Sequence, residues 1–295
     1  MRSWPLPTCG GSSRRTRVGV VAVNYNTRCL LARVLFGLRC VLAPGAIQAV
    51  VVVDNASTDG SRSLLTALGE AGLVDPILND QQRYHGPGLT QGVNHLAALQ
   101  AQGALDLNLV WVLDTDVYLL RLDTLSAAAA ALTSTGAVLA GEPDDGDAQG
   151  PQLTERPVAL NSLLFDPAAV WQPRHRPFLE DGDPARHLQH DVAAQGLRLL
   201  SFPFRSHGYL VHLGRATLAT VARTGDATNR YYQWAVDHQE PHFGLHPYGA
   251  ALAAALAAAF EATYTQAVGD NADASIVRVL LRAEQVTIAP VAPNR

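Results

Sequence analysis

The 295-residue chain has room for one large α/β domain or two small ones, and with 48% hydrophobic and 16% charged residues it belongs with globular chains, not disordered ones. The net charge is −4, and all 22 Lys-plus-Arg positions are Arg, so chemistry that needs a lysine is excluded. No basic stripe runs along the chain, which argues against nucleic acid as a partner, because neutralising phosphates takes clustered positive charge.

The opening "MRSWPLPTCGGSSRRTR" is built from Pro, Gly, Ser and Arg without an apolar core. It reads as a disordered tail over residues 1–16. The apolar run after it is too short for a secretory signal. Cys9, Cys29 and Cys40 cannot all pair with one another, and free thiols in a reducing, cytoplasmic setting are expected.

From residue 17 to 141, short β-rich runs alternate with helix-length segments. The series runs "RVGVVAV", the helix "TRCLLARVLFGLRCVL", "IQAVVVVD", the helix "STDGSRSLLTALGEAG", "LVDPIL", a helix over 89–102, "LNLVWVLD", the helix "LDTLSAAAAALT" and "GAVLAG". Continuous apolar strands with helical crossovers predict an α/β fold, a mostly parallel sheet sandwiched by helices, with five strands in doubly wound order. Ligands bind such sheets at the carboxyl ends of the strands. Here those ends carry "NYNT", "DNASTDGS" and "DTD".

After residue 141 the alternation loosens. The acidic Gly/Pro-rich stretch over 141–157 reads as a lid or boundary, and "QRYHGPG" is a second lid candidate. A half over 142–215 follows, with the strand "NSLLF", the acidic turn "FLEDGDP", the helix "ARHLQHDVAAQG" closed by Gly196, and "RLLSFPF". Residues 216–295 read as mainly helical. Within them the Ala-rich run at 249–260 is shorter than the roughly 20 residues a membrane span needs, so no transmembrane segment is expected.

"VWVLDTDVYLL" places Asp114 and Asp116 one residue apart at the end of a buried strand. Two like charges there call for a cation or hydrogen-bond donors, and oxygen ligands suit Mg2+ or Mn2+. A solvated turn is the plainer reading. Asp54 ends the second strand, where it could accept hydrogen bonds from a base or ribose or simply form a turn, with Ser57 or Thr58 as N-cap of the next helix. Asn24 and Asn26 are turn formers in front of Thr27, another N-cap candidate.

The ordered set "VVAVNYNT", "VVVDNASTDGS", "GLTQGVN" and "VLDTD" closely resembles the nucleotide-sugar half of the family-2 glycosyltransferases of GT-A fold. The resemblance covers residues 17 to about 125. It implies a uridine, guanosine or thymidine diphosphate sugar as donor, with base and ribose against Asn24, Asn26 and Asp54, and Asn94 facing the donor. It further implies Asp114 near the ribose or sugar and Asp116 on a Mn2+ or Mg2+ ion bridging the diphosphate. One departure stands out: two residues ahead of Gly88, where the family usually has Asn, this chain has Gly86.

"LLFDPAAV" and "FLEDGDPARHL" look like the family's acceptor segment, in which the second acid of a pair is the general base of inverting members. That acid is Asp181, with Asp183 and Glu180 in contention because the following helix is longer than usual. A solvated acidic helix start is the alternative. Many GT-A enzymes return a His to the metal, which points to His212, with His207 competing. Tyr231, Tyr232, Trp234 and Phe243 read as core or subunit contacts before an acceptor platform, and a homo-oligomer is compatible with them.

The function expected is therefore an inverting hexosyltransferase-like glycosyltransferase acting on a hydroxyl of a glycan, lipid-linked sugar or small molecule. The alternative from another class is a non-catalytic nucleotide-sugar-binding protein that has lost the base. A haloacid dehalogenase-type phosphohydrolase needs its Asp on the first strand and a distant Lys, and this chain has neither. A sugar-phosphate nucleotidyltransferase would open with a Gly-rich loop carrying Arg and Lys, where this chain has "NYNT".

Overall fold

The computed structural model describes residues 16–41, 45–142, 150–180, 183–212 and 272–282. The expectations for the tail before residue 16, Asp181, the aromatic group of Tyr231, Tyr232, Trp234 and Phe243, and the Ala-rich run lie outside the described residues. So does the helical region after 215, apart from 272–282.

Strands β1 (Val18–Asn24), β2 (Ile47–Asn55), β3 (Asp75–Asn79) and β4 (Leu109–Leu113) pair in parallel in the order β3-β2-β1-β4. The crossovers are helices α1 (Arg28–Val41), α2 (Ser61–Glu70) and α3 (His85–Ala101). Side chains alternate between the two faces of the sheet, and both faces are covered, which is why the strands read as unbroken apolar runs. Val18, Val20, Val52 and Trp111 pack with Leu31 and Leu35 of α1 and Leu64, Leu65 and Leu68 of α2. Val21, Val51, Val53, Val110 and Val112 face the other way onto Leu89, Val93 and Leu96 of α3.

Helix α3 begins at His85, four residues before the expected start at Leu89, in spite of Gly86, Pro87 and Gly88. Pro is at home in a first helical turn because its missing N–H has no intrahelical partner there. The expected lid "QRYHGPG" is thus half helix. Tyr84 enters it at φ +61°, and its carbonyl accepts from Asn55 Nδ2 at 2.8 Å. Gly92 lets the helix lie against β1, where a Cβ would crowd Val21.

Beyond α3 come β5 (Val117–Leu119), α4 (Thr124–Thr135), β6 (Leu139–Gly141), β7 (Gln152–Thr154), β8 (Ser162–Phe165), α5 (Pro167–Val170), α6 (Arg186–Ala193), β9 (Leu199–Ser201) and β10 (Leu210–His212). Among the described residues the sheet has eight strands, continuing from β4 as β8-β6-β9-β7. The strand over 139–141 is therefore not β4's neighbour, as a five-strand doubly wound order requires. Strand β8 inserts between β4 and β6, antiparallel to both. Residues 152–154, inside the expected lid, form β7 on β9.

One cap differs from expectation and one agrees. Helix α2 is preceded by Gly60 at φ +88°, and Asp59, not Ser57 or Thr58, accepts from Ser61 N at 3.0 Å. Gly196 adopts φ +72° after α6, in keeping with its expected stop role. Helix α7 (Ala272–Arg282) lies over α1 and α2, burying Ile276 and Leu280 in their core and pairing Asp273 with Arg28. Cys29 is a free, exposed thiol. Among the described residues no helix is long and apolar enough to cross a membrane.

Candidate active site

The polar strand ends form two adjoining clusters. In the first, Asn24 Nδ2 donates to Asp54 Oδ1 at 2.8 Å and Ser57 Oγ at 3.1 Å, while Ser57 N donates to Asp54 Oδ2 at 2.9 Å. Asn26 sits at φ +52°, where Asn is tolerated, and its Oδ1 accepts from Thr58 N at 2.7 Å. Asn24 and Asp54 are fully buried, so they stitch the first two strand-end loops together. Buried amide and carboxylate groups need such partners to offset their lost hydration.

The second cluster lies beyond β4. Asp114 N donates to the Asn161 carbonyl at 3.1 Å, which ends β4 against the start of β8. Strand β5 then pairs antiparallel with β10 and sets His212 opposite Val117, beside Asp116. His212 Nε2 lies 3.1 Å from Asp116 Oδ1 and 3.4 Å from Asp114 Oδ2. Ligand atoms of Asp114, Asp116 and His212 all fall within 4.8 Å of one another. His207, the competing histidine, is exposed and outside this trio.

The clusters share a bridge. Thr27 Oγ1 donates to Asn24 Oδ1 at 2.8 Å, so its 3.1 Å bond to Thr115 Oγ1 must be donated by Thr115, the residue between the two aspartates.

The electrostatics are those of a site short of positive charge. Burial alone would depress the His212 imidazole, but hydrogen bonds and charges from Asp114 and Asp116 outweigh it and push the pKa up to about 10. Burial would likewise raise Asp114. The His212 hydrogen bond and the charges of His85 and His212 win, and its pKa lies below the ordinary value. His85, on the first turn of α3, holds Nε2 3.4 Å from Asp114 Oδ1, an oxygen that accepts no hydrogen bond.

None of the other expected residues among those described joins the ligand trio. Asn94 accepts from Trp171 Nε1 at 3.1 Å. Glu180 is exposed and Asp183 half-buried, with Arg186 N donating to the Asp183 carbonyl at 3.1 Å. The chain ahead of them is anchored on α3, where Thr90 Oγ1 donates to the Phe178 carbonyl at 3.0 Å.

No protein-family model matches the chain, and no curated protein sequence does. Among solved structures, S. aureus TarS 1-349 aligns with a TM-score of 0.50 at 11% identity, over 91% of this chain and 90% of its own. The chain has the GT-A fold. The Pyrobaculum calidifontis mannosyltransferase PcManGT, in complex with GDP-Man and Mn2+, aligns at a TM-score of 0.47 and 18% identity, over 95% of this chain and 89% of its own. Mycobacterium tuberculosis glucosyl-3-phosphoglycerate synthase, in complex with Mn2+, UDP-Glc and glycerol 3-phosphate, aligns at 0.40 and 13%, over 66% and 72%.

In this GT-A sheet three site residues escaped sequence reasoning. His85 sits one position ahead of the departure at Gly86, and that oddity was the available signal. Thr115 was visible only as the middle of "DTD". Asn161 had no local signal, since its place beside Asp114 and His212 comes from the antiparallel return of β8.

Proposed function

We propose that the chain is a metal-dependent, inverting glycosyltransferase that moves a sugar from a nucleoside diphosphate sugar to an acceptor hydroxyl. The observation that carries this reading is the convergence of Asp114, Asp116 and His212 at the carboxyl end of β4 in a GT-A sheet. Two carboxylates and an imidazole fit a Mn2+ or Mg2+ ion, and three protein ligands leave coordination positions for diphosphate oxygens. The bound ion would act as a Lewis acid on the departing diphosphate.

The chain's own residues do the rest. The loops joined by Asn24, Asn26, Asp54 and Ser57 give the nucleoside a rigid wall, and Asp114, between His85 and His212, orients the ribose or sugar. An acid of the 180–183 segment, Asp181 first and Asp183 or Glu180 next, takes the proton of the acceptor hydroxyl as that oxygen attacks the face opposite the leaving group. One displacement inverts the anomeric centre.

A thermal-shift panel of uridine, guanosine and thymidine diphosphates and their sugars, with and without Mn2+, tests the reading, since binding to the native state raises the melting temperature by mass action. One nucleotide should stabilise the protein in a Mn2+-dependent way. No shift from any member would overturn the donor site.

A further inference from the structure

We infer that Asn161 is a positioning residue for His212: when a cation binds, its amide oxygen accepts a hydrogen bond from His212 Nδ1–H and so leaves the Nε2 lone pair for an ion held beside the two aspartates. The inference rests on the metal-site reading above and deepens it.

Asn161 is 7% exposed and lies directly before β8, where the pairing of Ser162 with Leu113 brings it opposite Asp114. Its main chain accepts the Asp114 N–H at 3.1 Å, and its side-chain amide lies 3.1 Å from His212 Nδ1. A single residue therefore touches two of the three converging ligands.

The orientation of that amide follows from the chemistry of the ring. With Nδ2 turned to the imidazole, Nδ1 must be a bare acceptor, and the amide oxygen is buried where it finds no donor. An imidazole that gives its Nε2 lone pair to a cation carries its hydrogen on Nδ1, and an NH2 group cannot accept it. A half-turn of the amide exchanges two groups of nearly equal shape and sets the oxygen against Nδ1–H. Metal-bound histidines almost always donate their second ring N–H in this way, and loss of the acceptor weakens metal binding.

The test uses the full chain and Mn2+ alone, titrated by electron paramagnetic resonance. Asn161→Ala should weaken Mn2+ binding by about 10–100-fold, the usual cost of removing such a partner. Asn161→Asp, which can only accept, should stay close to the wild type, a rescue that a role in packing would not produce. Equal affinity in Asn161→Ala, or Asn161→Asp as weak as Asn161→Ala, overturns the proposal. A second measurement needs no variant: with Zn2+ as a diamagnetic probe, nitrogen NMR of labelled histidine should show His212 protonated at Nδ1 and not at Nε2. The reverse tautomer overturns it. A wild type that binds no Mn2+ in the presence of any nucleoside diphosphate removes the metal-site reading itself, a failure distinct from equal affinities across the variants.

Discussion

Gly86 lies in contact with the main chain of Leu179: a Cβ at position 86 would fall inside the Leu179 carbonyl group. The first turn of α3, which carries His85 toward Asp114, is thereby locked to the chain that leads into Glu180. The close approach explains why this position cannot hold the Asn that the resemblance leads one to expect there. Backbone, unlike the end of a flexible side chain, has little room to give. Gly86→Ala should cost about 1–3 kcal/mol, the range for overpacking a filled site. Denaturant melts check it, and a variant as stable as wild type would show that the first turn of α3 can move off Leu179 without cost.

Asp116→Ala should abolish Mn2+-dependent nucleotide binding, weakening it by more than about 100-fold, beyond the loss expected for an outer partner. The fold should survive, since the substitution also relieves repulsion from Asp114. Calorimetry with nucleotide and Mn2+, beside a thermal melt, separates the two effects. Unchanged metal dependence would return the pair to a structural role around His212.

Asp181→Asn keeps the size of the side chain but cannot take a proton. Donor binding should persist while transfer falls by about 10²–10⁴, the usual contribution of a positioned base. The same loss in Asp183→Asn, with Asp181→Asn active, would move the base two residues on. If both variants transfer normally, the acidic segment is a solvated helix start.

Glu142 directly follows β6 and is fully buried, and Oε2 accepts from Arg205 N at 2.7 Å. Desolvation pushes its pKa up to about 7, against the opposing pull of the Phe204, Arg205 and Ser206 amides and the Arg205 charge. Between the ordinary carboxyl value of 4.5 and about 7 the native state holds a proton that the unfolded chain has released, so this group's contribution falls as pH rises through that window and is flat above it. The loss is on the order of 3 kcal/mol. Glu142→Gln, permanently neutral, should match wild type at pH 5 and melt several degrees higher at pH 8. Parallel melting curves at the two pH values would remove the assignment.

Local patterning determined much of this protein on its own. Unbroken apolar runs followed by Asn- and Asp-rich turns specify a parallel sheet with its polar strand ends gathered at one edge, because strands covered on both faces have nowhere else to put polar groups. Asp114 and Asp116 stood out as candidate metal ligands for that reason, and His212 came to mind only through the family resemblance; the fold brings the three together. Tertiary structure decided what depends on pairings between distant segments. The antiparallel entry of β8 between β4 and β6, which brings Asn161 to Asp114, leaves no local trace, since "NSLLF" suits any buried strand position. The early start of α3 was hidden by two glycines and a proline, residues that usually break helices, and packing of Gly86 on Leu179 overrode that propensity. Ser57 looked like a helix cap; instead its hydroxyl accepts from Asn24 Nδ2 and Asn26 N while its main-chain N–H donates to Asp54, because a hydroxyl is drawn to whichever buried donors the folded chain brings closest.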